Sequence, residues 1–203
     1  MGPASGPPSS RSRGITLGFL AAALLVLADQ WSKAEVFAWL GPPGAGNASA
    51  NLSHDVHGHA RLPLAGTWLS FMLSCNPGAA FGQFDQFPGV LLIGRCIAVI
   101  FLSVLVLRAD PSRPVVFVAM VLVLAGALGN VIDNLWTGCV PASPSASWLR
   151  PRQVRDFIDV WFRPLFGWDY HFPSFNVADS CITVGAVAWV VSGFLPARPK
   201  PAA

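Results

Sequence analysis

Charge is scarce in this sequence. Only 11% of its 203 residues are Asp, Glu, Lys or Arg, against 53% that are hydrophobic. A soluble globular domain carries about a quarter charged residues, so an ordinary water-soluble domain is excluded, and the mean hydropathy of +0.54 agrees. The small net charge of +3 comes without a basic cluster, which removes the electrostatic footprint of a nucleic-acid binder. The four cysteines (Cys75, Cys96, Cys139 and Cys181) show no C-x-x-C spacing. Internal repeats are absent. So is a small-x-small cleavage site after the first apolar run, where Asp29, Gln30 and Lys33 follow instead, and this argues against a removed signal peptide.

What is present is four long apolar stretches, at about 15–40, 89–107, 114–136 and 176–196. A membrane-crossing helix needs roughly 20 such residues. The expectation is a single integral membrane domain over 1–203, mainly α, with four transmembrane helices and disordered tails at 1–12 and 197–203. With both termini inside, the cytoplasmic segments hold Arg11, Arg13, Arg108, Arg113, Arg198 and Lys200. The outer loops hold Arg61, Arg150, Arg152, Arg155 and Arg163. Excess positive charge on the short inner segments favours that orientation. Cys96 and Cys181 then lie inside spans as small apolar residues, while Cys75 and Cys139 both face outward, where a disulfide is open to them.

The two outer loops are long and the inner one is short, so non-helical structure is expected on the outer face. In the first loop, 41–63 reads as flexible. Thr67 to Leu73 reads as a strand, Asn76-Pro77-Gly78 as a turn, and 79–84 as a returning strand. The product would be a small extracytoplasmic β-sheet. The second outer loop carries a Pro/Ser segment at 141–147 and an aromatic run, Trp161 to Phe172, that fits an interfacial belt.

Ionisable and amide residues beside the spans are the candidates for chemistry, because charge at the edge of hydrocarbon is expensive without partners. Asp29 and Lys33 are four apart on the first helix, acid before base, and can pair on one face. Asn130 and Asp133 share a face at the end of the third, and Asn176 and Asp179 repeat that spacing at the start of the fourth. Such groups can also serve only to join helix to helix. Asp156, in Val154-Arg155-Asp156-Phe157-Ile158-Asp159, is read as a loop residue. Two carboxylates in one site cannot both ionise, so one keeps a proton while the other takes one from water. Asp156 and Asp179 are the first candidates for such a dyad, with amides of Asn76, Asn130 and Asn176 to orient them, but spacing alone does not choose the pair. A proton-coupled transporter using Asp29, Asp133 and Asp179 is the rival reading. It lacks the inverted repeat and midplane polar groups expected of transporters. Arg95, inside the second span, is expected to snorkel or to pair with Asp133 or Asp29. The H-x-x-H-x-H tract at His54, His57 and His59 reads as solvated, and no histidine is placed to activate Ser174 or Ser180 beyond His171.

The segments Asp29-Gln30-Trp31-Ser32-Lys33, Asn76-Pro77-Gly78-Ala79-Ala80-Phe81-Gly82, Gly126-Ala127-Leu128-Gly129-Asn130-Val131-Ile132-Asp133, Val154-Arg155-Asp156-Phe157-Ile158 and Phe172-Pro173-Ser174-Phe175-Asn176-Val177-Ala178-Asp179 together resemble bacterial lipoprotein signal peptidase. The resemblance implies a four-helix membrane bundle with a small extracytoplasmic sheet. It implies an aspartic peptidase of the cytoplasmic membrane that needs no metal or organic cofactor and removes signal peptides from prolipoproteins carrying a diacylglyceryl-cysteine. It places the catalytic dyad on Asp156 and Asp179. Supporting or substrate-binding positions fall on Asp29, Lys33, Asn76, Gly126, Asn130, Asp133 and Asn176. Two stretches, 41–63 and 134–156, are longer than the family pattern. Asn134 stands where the family commonly has arginine, and Arg155 is the expected compensating cation.

Overall fold

The structure, a computed structural model, describes residues 10–41, 53–54, 60–77, 87–140 and 151–194. Helix α1 (Ser10–Leu40) leads into strands β1 (Ser53–His54), β2 (Ala60–Ala65) and β3 (Leu69–Asn76). Helices α2 (Pro88–Arg108) and α3 (Pro114–Ile132) follow, and α3 continues into a π-helical turn, Asp133–Thr137. Strand β4 (Val154–Trp161), a short α4 (Arg163–Phe166), β5 (His171–Phe175) and α5 (Val177–Ser192) complete the order.

Both α2 and α3 start with proline in the first turn, where the missing N–H is one the helix cannot use. Helix α3 is the hub: it packs against α5, and with α1 and α2 it forms a core of Ala22, Leu102, Val106, Phe117, Met120, Val121, Leu124 and Ala125. Outward faces stay apolar, as at Leu20, Leu24 and Leu27 on α1 and Ile93, Ile97 and Ile100 on α2. A bundle with oily residues both inside and outside belongs in lipid rather than water. Among the described residues three helices are long and apolar enough to cross a membrane: Ser10–Leu40, Pro88–Arg108 and Pro114–Thr137. The expected fourth span is shorter than the sequence suggested. Helix α5 has 16 residues, about 24 Å at 1.5 Å each, against a hydrocarbon core of about 30 Å. Its start is set by a cap at Asn176, and its expected continuation from 195 lies outside the described residues.

The sheet is antiparallel throughout, in the order β1-β2-β3-β4-β5. It rests on the end of α1 through a second apolar cluster of Val36, Leu40 and Phe157, with Phe71 edge-on to Phe157 at 5.6 Å. Three expectations change here. Asp156 belongs to β4, paired between β3 and β5, not to a loop: alternation of Val154, Asp156 and Ile158 with Arg155, Phe157 and Asp159 gives each face of the strand a buried neighbour. The strand expected from Thr67 begins at Leu69 and runs on to Asn76. Part of the stretch read as flexible is strand: Arg61 to Pro63 pair with β3, and Ala60 and Arg61 with β1. Of the first tail, expected to be disordered over 1–12, Ser10 to Ser12 form the first turn of α1. The expected strand at 79–84, the Pro/Ser segment, residues 1–9 and 197–203, His57 and His59 lie outside the described residues.

Candidate active site

Where the sheet meets the bundle, polar side chains from α1, α3, β3, β4 and α5 converge. The base of this region is an alternating chain of charges. Lys33 Nζ lies 2.8 Å from Asp29 Oδ2 and 3.2 Å from Asp133 Oδ2. The other oxygen of Asp133 takes Arg155 Nη2 at 2.8 Å, and the Arg155 backbone N–H donates to Asp133 Oδ2 at 2.9 Å. Asp29 Oδ1 accepts the N–H of Ala178 at 2.9 Å, tying α1 to the first turn of α5. Asp29, Lys33 and Asp133 are almost wholly buried. Two acids and two bases cancel, which is the condition under which burying ions is tolerable.

Donor-only groups in this base orient the amides above it. The Lys33 ammonium has no acceptor, so Asn130 turns Oδ1 toward it (3.2 Å) and presents Nδ2 to Asp179 Oδ1 at 2.8 Å. Asn176 is the N-cap of α5. Its Oδ1 accepts the Asp179 N–H at 2.9 Å, and its own N–H donates to Asp179 Oδ2 at 3.2 Å, a capping box. That leaves Asn176 Nδ2 to donate to Asp156 Oδ1 at 2.7 Å. Asn76 Nδ2 donates to Asp156 Oδ2 at 3.1 Å from the end of β3.

Asp156 and Asp179 therefore sit on either side of one asparagine, each held by amide N–H groups and neither ion-paired by an arginine or lysine within bonding distance among the described contacts. Asp156 is 1% exposed. Burial, and then the neighbouring charge of Asp179, push its carboxyl up from 3.8 to about 7. Asp179 remains partly accessible. Such a pair titrates as a unit. It can hold one proton near neutral pH, taking another from water with one carboxylate and donating with the other.

All nine positions singled out from the sequence lie in this region. Gly126 contributes by absence: a Cβ there would overlap the Ala178 carbonyl and Ile182, so glycine lets α3 approach the start of α5. Two residues of the network were missed. Gln30 donates to Asp29 and to the Gly129 carbonyl, and accepts from Arg155 and Thr137. The Thr137 hydroxyl also lies 2.8 Å from Asp133 Oδ1, so its single proton is shared between Gln30 and Asp133. Gln30 beside Asp29 and Thr137 four residues after Asp133 were the available signals. Arg155, the expected compensating cation, pairs with Asp133, whereas Arg95 pairs with neither Asp133 nor Asp29 among the described residues and donates to Asn134 Oδ1. Cys75 and Cys139 form a disulfide, with Cα atoms 6.0 Å apart. Cys75 precedes Asn76, and Cys139 bridges to Gln153 at the entry to β4, so the bond staples the sheet beside the site.

Residues 21–195 match the family model for signal peptidase (SPase) II. The chain is 29% identical over 178 residues to the lipoprotein signal peptidase of Chlorobium phaeobacteroides, covering 86% of this chain and 94% of that protein. It is 36% identical over 129 residues to that of Escherichia coli K12, covering 62% and 67%. Two solved structures, each described as a bacterial membrane enzyme determined by the in meso method, superpose with TM-scores of 0.62 and 0.58 at 27% and 28% identity. They cover 89% and 88% of this chain, and 88% and 92% of their own.

Proposed function

This chain belongs to the signal peptidase II family, and we propose that Asp156 and Asp179 are its catalytic dyad, cutting diacylglyceryl-modified prolipoproteins just before the lipidated cysteine. As a member it is a membrane aspartic peptidase that processes lipoprotein signal peptides, a multi-pass protein of the inner membrane. The observation that carries the dyad is the convergence of two amide-held carboxylates on Asn176.

In the proposed reaction the ionised carboxylate takes a proton from a water as its oxygen attacks the scissile carbonyl carbon. The protonated partner donates to the carbonyl oxygen. When the C–N bond breaks, the dyad's proton passes to the leaving amine. As the new carboxyl group forms, a hydroxyl of the tetrahedral intermediate gives its proton back to the dyad, so the pair again holds one shared proton. Lys33 acts at one remove, through Asn130 and Asp133. The lipid chains dock between helices, which sets the cut at the membrane surface.

In this reading α5 is the fourth crossing, both termini are cytoplasmic and the dyad faces outward. Two features support the orientation. Arg11 donates to the Leu107 carbonyl, so the start of α1 lies beside the α2–α3 turn, and Arg11, Arg108 and Arg113 gather at the end opposite the sheet. The Cys75–Cys139 disulfide lies on the sheet side, and disulfides persist in oxidising compartments.

Cleavage of a diacylglyceryl prolipoprotein in micelles, followed by gel shift, tests the proposal. Wild type should cleave, and Asp156→Asn and Asp179→Asn should each lose about a thousandfold or more in turnover while staying folded. Substantial activity in either variant would move the chemistry elsewhere, with Asp133 next to test.

A further inference from the structure

Successive residues of a β-strand point to opposite faces. Asp156 therefore meets Asn76 and Asn176 only while Arg155, its neighbour in β4, points the other way, into the bundle. Arg155 is fixed there at three places. Its guanidinium reaches Asp133 Oδ1, with Nη2 at 2.8 Å and Nε at 3.3 Å, and lies 6.0 Å from the centre of the Phe37 ring. Its backbone N–H donates to Asp133 Oδ2 at 2.9 Å. Its carbonyl accepts Asn176 Nδ2 at 3.2 Å, and that same Nδ2 donates to Asp156 Oδ1. One residue thus ties the strand of Asp156 to the end of α3 and to the cap of α5.

Charge pairing alone does not account for this fit, because Asp133 already has the Lys33 ammonium at 3.2 Å. The fork of Arg155 is closed by a second, uncharged partner: Nη2 also donates to Gln30 Oε1 at 3.1 Å. Gln30 is held at its other end, where Nε2 donates to Asp29 Oδ2 at 3.1 Å and to the Gly129 carbonyl at 3.0 Å. Gly129 precedes Asn130, the amide that donates to Asp179. Gln30 therefore runs from the neighbour of Asp156 to the neighbour of Asn130, and links the supports of both carboxylates without adding charge. The rest of β4 has separate holds. Asn134 Nδ2 donates to the Arg152 carbonyl at 2.7 Å, Cys139 pairs with Gln153, and β3 and β5 flank the strand. Loosening the grip on Arg155 therefore shifts Asp156 and leaves the sheet folded.

We propose that Arg155, clasped by Gln30, is a positioning residue that seats β4 on the bundle so that Asp156 meets Asn176 across from Asp179. The inference rests on the dyad reading above. Both residues act through the placing of the Asp156 carboxyl and not on the substrate.

The test is the micellar cleavage assay run across pH with Arg155→Lys and Gln30→Ala, two changes that leave the net charge of the region unaltered. Lysine keeps a cation beside Asp133 and loses the planar fork; alanine removes the clasp. Each should lower kcat about tenfold to a hundredfold, the loss expected when a reacting group moves by about 1 Å, with KM and the unfolding midpoint close to wild type. Each should also move the alkaline limb of kcat below its wild-type position. Burial and then the charge of Asp179 raise the Asp156 carboxyl to about 7, and drawing it away from Asp179 removes part of the second effect. The double variant should lose little more than either single one, since the two residues act as a unit. A purely structural role predicts a lowered midpoint with kcat per folded enzyme and the pH limb unchanged, and that result overturns the proposal. Should Arg155→Lys fail to fold, Gln30→Ala decides, because Gln30 is only half-buried: a wild-type kcat and pH limb in that variant overturn the proposal. Failure of folded wild type to cleave would instead count against the dyad reading itself.

Discussion

Two pairs of aspartates lie in the same buried region and have opposite surroundings. Asp29 and Asp133 share Lys33, and Asp133 also holds Arg155, so every charge has an opposite charge within bonding distance. Asp156 and Asp179 are held by the amides of Asn76, Asn130 and Asn176 and by a helix cap. Amide donors orient a carboxylate without cancelling its charge. The first pair is therefore suited to stay ionised and hold the α1–α3–β4 junction together, and the second to share a proton. Residue type is identical in all four cases; the neighbours decide which aspartates are suited to hold the junction and which to share a proton.

That contrast breaks if the two pairs respond alike to substitution. The largest effect on stability is expected at Lys33. Lys33→Met leaves Asp29 and Asp133 buried without their shared cation and should cost about 3–5 kcal/mol, read as a lowered unfolding midpoint in micelles, whereas Asp156→Asn should leave the midpoint near or above wild type. Equal losses would mean that the dyad is also structural.

Reducing the disulfide, or Cys75→Ser with Cys139→Ser, should cost about 2–4 kcal/mol. Activity at low temperature should persist, because Asn76 still pairs with Val154 in the sheet. Loss of all cleavage in a folded, reduced enzyme would show that the staple positions Asn76 rather than merely stabilising the sheet.

The smallest expected effect is a pH dependence that sharpens the contrast. The Asp156 carboxyl is raised from 3.8 to about 7 in the folded protein, so the stabilisation from its neutral form is complete below about pH 4 and is lost as pH rises through about 7. Wild-type stability relative to Asp156→Asn should fall across that window and then level off. Cleavage should show an alkaline limb near pH 7, as the last shared proton leaves. Asp179→Asn removes the neighbouring charge and should draw the upper edge of the stability window down. A flat difference between wild type and Asp156→Asn would sink the shared-proton account.

Much of this was readable residue by residue. Asp29 and Lys33 four apart, and Asn176 three before Asp179, are short-range relations that helical geometry fixes once a helix is assumed. Other features were not. Asp156 looked like a loop residue because β4 is buried by the partners β3 and β5 and by the end of α1, which lie far away in sequence. Cys75 and Cys139 are 64 residues apart, and only sheet pairing brings them together. Gln30 links α1, α3 and β4, and a neutral amide in a helix carries no local sign of such a role.

The sequence alone determined a membrane chain, three of its spans, its motifs and the acids worth testing, because hydropathy and helical spacing act over a few turns and need no knowledge of the rest. Only the tertiary structure decided which acids meet cations and which meet amides, and that Arg95 reaches Asn134. An aspartate's protonation is set by what lies within a few ångströms of it, and here those neighbours come from up to 149 residues away along the chain.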